Sequence, residues 1–143
     1  MEQSSQANEA IVSRIYEETL GFDGGMSKMT EVQRSVYLVE HLMQETNSGA
    51  SFEQYFRWAA IDELECILPT LRKLGLNDVA ALLEQAMSIV FPGGAPESEE
   101  EKCDLTEWSE EQEEALEQLF EPLEELNGRV TNVLGEYASR AGA

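Results

Sequence analysis

Apolar residues recur at intervals of three and four along most of the chain, and period-two alternation never lasts more than a few residues. This pattern predicts an all-α protein. Val12, Ile15, Tyr16, Thr19 and Leu20 share one helical face, which stops at Gly21 and the Asp23-Gly24-Gly25 turn. Thr30-Glu31-Val32-Gln33 has capping-box spacing and opens a helix carrying Val32, Val36, Val39, Leu42 and Met43. Ser51-Phe52-Glu53-Gln54 has the same spacing, ahead of the aromatic run Tyr55, Phe56 and Trp58. Ile61, Leu64, Ile67, Leu68, Leu71 and Leu74 form the next stripe, where Pro69 predicts a kink and Gly75 a C-terminal stop. Asn77 is placed to cap a helix whose core face is Val79, Leu82, Leu83, Ala86, Met87 and Val90. Phe91 to Pro96 ends it.

A third capping box, Ser109-Glu110-Glu111-Gln112, predicts one long acidic helix at about 109–138, after an acidic linker at about 92–108. Leu116, Leu119, Leu123, Leu126, Val130, Val133 and Tyr137 alternate in steps of three and four, a three-heptad seam that packs along another helix. Pro122, Gly128 and Gly135 weaken that helix. The expectation is a single domain over residues 1–143, a helical bundle of about six helices ending in the long acidic one.

Charge changes this picture from a fold into a surface. The net charge is −20, yet residues 97–125 alone hold fourteen acidic residues against one basic, Lys102. Charge concentrated in this way points to a cationic partner. Glu110, Glu114, Glu117, Glu121 and Glu124 recur in steps of four and three, each about 200° around the helix from a seam position. With Glu111, Glu113 and Glu125, eight carboxylates fall within about 24 Å of helix axis at ~1.5 Å per residue. One charge per roughly 3 Å is close to the phosphate spacing of one DNA strand, about 3.4 Å. The plain alternative is a solvated face that keeps the protein in solution.

The same charge argues against direct binding of DNA, RNA or anionic membranes. Two cysteines, Cys66 and Cys103, make no disulfide framework, and the first residues have neither the basic nor the apolar region of a signal peptide, so a soluble cytoplasmic protein is expected. His41 is the only histidine, which excludes multi-histidine metal sites and favours a partly buried structural role. Glu99-Glu100-Glu101 lacks the loop geometry of a calcium hand, and the glycine pairs lack the strand and lysine of a phosphate loop. No catalytic residue, cofactor or metal is expected. Phe52, Tyr55, Phe56 and Trp58 read as core and packing edge.

Glu45-Thr46-Asn47-Ser48-Gly49-Ala50-Ser51-Phe52-Glu53-Gln54-Tyr55-Phe56 resembles the signature of a bacterial all-helical family: an acidic residue, Asn and Gly, then Phe-x-Gln-aromatic-Phe. Leu71 to Leu76 and the alanine-rich Ala80 to Ala86 are similar to the same family, which is named for a DNA-mimic protein. The resemblance covers roughly residues 30–140. This chain has Gly49-Ala50 in place of the usual double glycine, with Ser51 inserted before Phe52. The resemblance implies an acidic helical protein that occupies a transcription factor in place of its operator. Together with the acidic stripe it leads to an expected homodimeric DNA mimic of a basic repressor or nucleoid-type protein. Glu110, Glu111, Glu113, Glu114, Glu117, Glu121, Glu124 and Glu125 then serve as phosphate surrogates. The alternatives are an immunity-type protein against a cationic toxin, a small helical enzyme or metal binder, and an acidic scaffold without a mimic role.

Overall fold

The computed structural model describes residues 2–21, 25–94, 96–105 and 107–141. The expected turn at Asp23-Gly24-Gly25 falls largely outside them. Among the described residues there are eight α-helices and no strand: α1 (Glu2–Thr19), α2 (Glu31–Gly49), α3 (Glu53–Trp58), α4 (Ile61–Lys73), α5 (Asn77–Val90), α6 (Glu99–Leu105), α7 (Glu110–Glu124) and α8 (Asn127–Arg140). A 3-10 turn, Gly25–Lys28, precedes α2.

The helical class is as expected, and the count differs for two reasons. The segment read as an acidic linker contains α6, and the long C-terminal helix is two helices. The break lies at Glu125 and Leu126: the Glu125 N–H reaches the Glu121 carbonyl only at 3.4 Å, and the Leu126 N–H turns back to Leu123 at 3.0 Å. Packing explains the break. α7 lies against α5, whereas α8 lies against α1, and one straight rod does not serve both. The seam rotates accordingly. Leu116, Leu123 and Val130 are buried as predicted, but beyond the break Leu134 and Ala138 are buried while Val133 and Tyr137 are only half-buried.

α2 is the central helix, touching α1, α3, α4, α7 and α8. Leu38, Val39 and Leu42 on it are fully buried among Phe52, Phe56, Leu71, Leu83 and Leu116. The capping box at Thr30 forms in full: Thr30 Oγ1 accepts from the Gln33 N–H (3.1 Å) and Gln33 Oε1 from the Thr30 N–H (2.9 Å). Ser109 and Gln112 do the same for α7. The box expected at Ser51 does not form. Phe52, not Ser51, stands at the cap of α3; Ser51 Oγ accepts from the Glu53 N–H, two residues on, and the Gln54 side chain donates to Glu45 Oε2 at 2.6 Å. Asn77 does not cap α5 either: it is already helical, and Leu76 stands at the cap without a side-chain hydrogen bond. Pro69 lies inside α4, which continues to Lys73. Gly75 (φ +77°) ends α4 as predicted, with Leu76 N–H returning to the Leu71 carbonyl at 2.8 Å. Leu20 lies beyond α1 and is exposed.

Candidate functional site

α7 places its acids as the periodicity predicts. Leu116 and Leu123 are buried against the bundle, and Glu110, Glu111, Glu114, Glu117, Glu121 and Glu124 are exposed on the same helix. Glu113 is half-buried, and Glu125 is exposed in the turn that follows. The break comes after Glu124, so the five-residue stripe lies on one helix of about 22 Å at ~1.5 Å per residue. Gln112 fixes how the helix is rotated, since its Nε2 donates to the Ile89 carbonyl of α5 at 2.9 Å.

The helix dipole separates these acids into two groups. Glu110, Glu111 and Glu113 lie in the first turn, where partial positive charge on the free amides stabilises them. Glu121 and Glu124 occupy the last turns, which carry no basic residue and where the dipole opposes negative charge. Successive acids four apart, such as Glu110–Glu114 and Glu117–Glu121, repel one another as well. The C-terminal half of the stripe therefore works against the stability of its own helix.

In the sequence Lys102 is the one positive charge within the acidic segment. The structure removes it from the surface. Lys102 is 4% exposed, and its ammonium donates to the carbonyls of Arg57 (3.2 Å) and Ala59 at the end of α3. α6 is docked there by a second contact, the Ile61 N–H donating to Glu99 Oε1 at 2.9 Å. Glu97, Glu99, Glu100, Glu101 and Glu107 stay exposed. Arg57 is held too, by Glu53 (2.7 Å) and over the Trp108 ring at 5.0 Å from its centroid.

Trp58 departs from its expected role as packing edge and is 69% exposed. The signal was present: Phe52, Tyr55 and Phe56 follow helical spacing onto the core, and position 58 falls off that face. Because α6 and Trp108 both attach at the end of α3, a large apolar side chain stands beside the acidic segment. Cys103 is exposed and Cys66 half-buried against the core.

His41 is partly buried, as expected, in a polar network no periodicity announces. Its Nδ1 lies 2.6 Å from Glu63 Oε2, and the Tyr37 hydroxyl donates to the other Glu63 oxygen at 2.9 Å. Tyr37 stacks on His41 and on Tyr16, and Tyr55 meets the imidazole edge-on. Burial, then the charges of Glu40, Glu45 and Glu63, push the Tyr16 hydroxyl up to about 12. Burial and then Glu63 raise Tyr37 and Tyr55 as well. Both imidazole nitrogens face carboxylates, Glu63 and, at 3.7 Å, Glu45, so this cluster joins α2 to α4.

No described helix is long and apolar enough to cross a membrane. Residues 27–141 match the sequence model of a family described as DMP19-like protein. No curated protein and no solved structure matches the chain.

Proposed function

The chain belongs to the DMP19-like protein family, and on that premise we propose that it is a DNA mimic. Its acidic face occupies the DNA-binding groove of a basic repressor or nucleoid-type protein and keeps that protein from DNA. The reading is of a cytoplasmic, homodimeric binding protein rather than a catalyst. Glu110, Glu114, Glu117, Glu121 and Glu124 stand for phosphates, with Glu111, Glu113 and Glu125 beside them.

One observation carries this reading. Acids run the length of α7 into a helix end that disfavours them, while Lys102, the one cation of the segment, is turned inward. Solubility alone needs neither feature. A mimic needs both, since a phosphate backbone is negative throughout and its attraction depends on an unbroken field. The exposed Trp58 adds the kind of aromatic anchor that concentrates binding energy at protein interfaces.

The test is capture from an extract of the source cell on the immobilised chain, eluted in salt steps and identified by mass spectrometry. A DNA-binding protein released at moderate salt and displaced by its own DNA site is the expected result. Reversing Glu110, Glu117 and Glu124 to Lys is expected to abolish capture with helicity retained. Unchanged capture by that variant would sink the assignment of the stripe. A captured basic protein with no affinity for DNA would favour the cationic-toxin reading instead.

A further inference from the structure

Between α1, α2 and α8 lies a cleft of about 190 Å³ that shares no residue with the acidic stripe. Glu40 of α2 lines it. This side chain is nine-tenths buried, yet among the described residues it has no cationic partner. Its one hydrogen bond among the described residues is to a neutral group: Gln44 Nε2 donates to Oε2 at 2.9 Å. The other oxygen, Oε1, receives no hydrogen bond from the described residues. Glu9 of α1, another acid lining the cleft, makes ionisation of Glu40 harder still. A buried carboxylate without a counter-charge is costly. Folded proteins pair such groups or use them, and here the group opens into a cavity.

The remainder of the lining narrows the choice of ligand. Ser13 and Thr131 bring hydroxyls to the cleft, and Val12 and Met43 supply apolar wall. Asn47 and Asn127 are locked to each other by reciprocal hydrogen bonds of 3.1 and 3.0 Å, which tie α2 to α8 and hold one side of the cleft in place. One buried charge, a few neutral acceptors and an apolar wall suit a group with one positive charge, three N–H donors and an alkyl tail. A divalent cation would want more carboxylates, and no cluster of three or more metal-ligating side chains occurs among the described residues. The volume is below the roughly 300–1,000 Å³ of drug-sized sites.

We propose that this cleft binds a primary alkylammonium group, with Glu40 as its counter-ion and Glu9 at the mouth. The group comes from a free aliphatic amine or from a lysine side chain, which share this chemistry.

The experiment is calorimetric titration of the full chain with 1,4-diaminobutane, in salt high enough to screen the acidic surface. Nα-acetyl-lysine amide and Mg²⁺ are titrated in parallel. Saturable one-to-one binding of either amine is expected, and the tighter of the two identifies the source. Glu40→Gln should weaken it at least tenfold, and the surface variant E110Q/E114Q should leave it unchanged. Ser13→Leu, which narrows the mouth without touching a charge, should weaken it too, and it covers the case in which Glu40→Gln does not fold. Equal losses in Glu40→Gln and E110Q/E114Q would overturn the proposal, because attraction would then follow total charge. Undiminished binding by both cleft variants, no saturable amine binding, or preferential binding of Mg²⁺ would overturn it too.

Discussion

The Lys102 ammonium donates to the backbone carbonyl of Ala59, more than forty residues away, and so closes the end of α3 with a side chain from α6. The same contact places a cation where helix α3 presents its unsatisfied carbonyls. Lys102→Met is therefore expected to destabilise the protein by about 2 kcal/mol, the range for hydrogen bonds to a charged group. Urea denaturation measures it. A change within about 0.5 kcal/mol, as for ordinary surface substitutions, would show that α6 is not anchored this way.

Stability and binding should part company along α7. Glu124→Gln removes a charge from the unfavourable end of the helix and is expected to raise stability by about 0.5 kcal/mol at low salt. Glu110→Gln at the favourable end should lower it by a similar amount. Both should weaken partner binding and reduce its salt dependence. Thermal melts beside affinity measurements separate the two effects, and a Glu124→Gln protein that binds at full strength would argue for a merely solvated face.

Two glycines of α8 predict opposite outcomes. A Cβ on Gly135 would stand 2.4 Å from the Asn8 Cβ of α1, so Gly135→Ala forces the helices apart and should cost about 1–3 kcal/mol despite its better helix propensity. Gly128 has nothing within 4 Å, and Gly128→Ala should stabilise by up to about 1 kcal/mol. Chemical denaturation of the pair tests whether close approach or propensity governs this helix.

Ala50 ends α2 in the left-handed region (φ 51°, ψ 37°), with its N–H on the Thr46 carbonyl. An alanine there carries strain of about 1–2 kcal/mol that glycine lacks. Ala50→Gly is expected to stabilise by about 1 kcal/mol. A lower melting temperature would contradict that geometry.

Glu40 gives stability a defined pH dependence. Burial raises its pKa, the Gln44 hydrogen bond opposes this, and Glu9 raises it further, leaving it above the usual carboxylate value. The native state then holds its proton more tightly than the unfolded chain, whose carboxyl titrates at about 4.3. Its contribution falls as pH rises from that value through the native pKa. Glu40→Gln should be more stable than the parent at about pH 7, with the gap closing below about pH 4. Melting curves across that range check the sign.

What the sequence determined by itself was most of what is decided within one or two helical turns. The capping boxes at Thr30 and Ser109, the left-handed stop at Gly75 and the outward direction of the α7 glutamates follow from spacing, because the partners are three or four residues apart. Even there one box did not form: Phe52 caps α3, and Gln54 donates to Glu45 across the α2–α3 turn. Tertiary structure decided the rest. The break at Leu126 depends on α7 and α8 having different neighbours, and the inward turn of Lys102 on carbonyls of a distant helix end. The burial of Glu40 and the joining of His41 to Glu63 depend on which faces of α1, α2, α4 and α8 meet. Periodicity gives each helix an apolar face but not the identity of the helix that covers it, and the energies of buried charge are set by that identity.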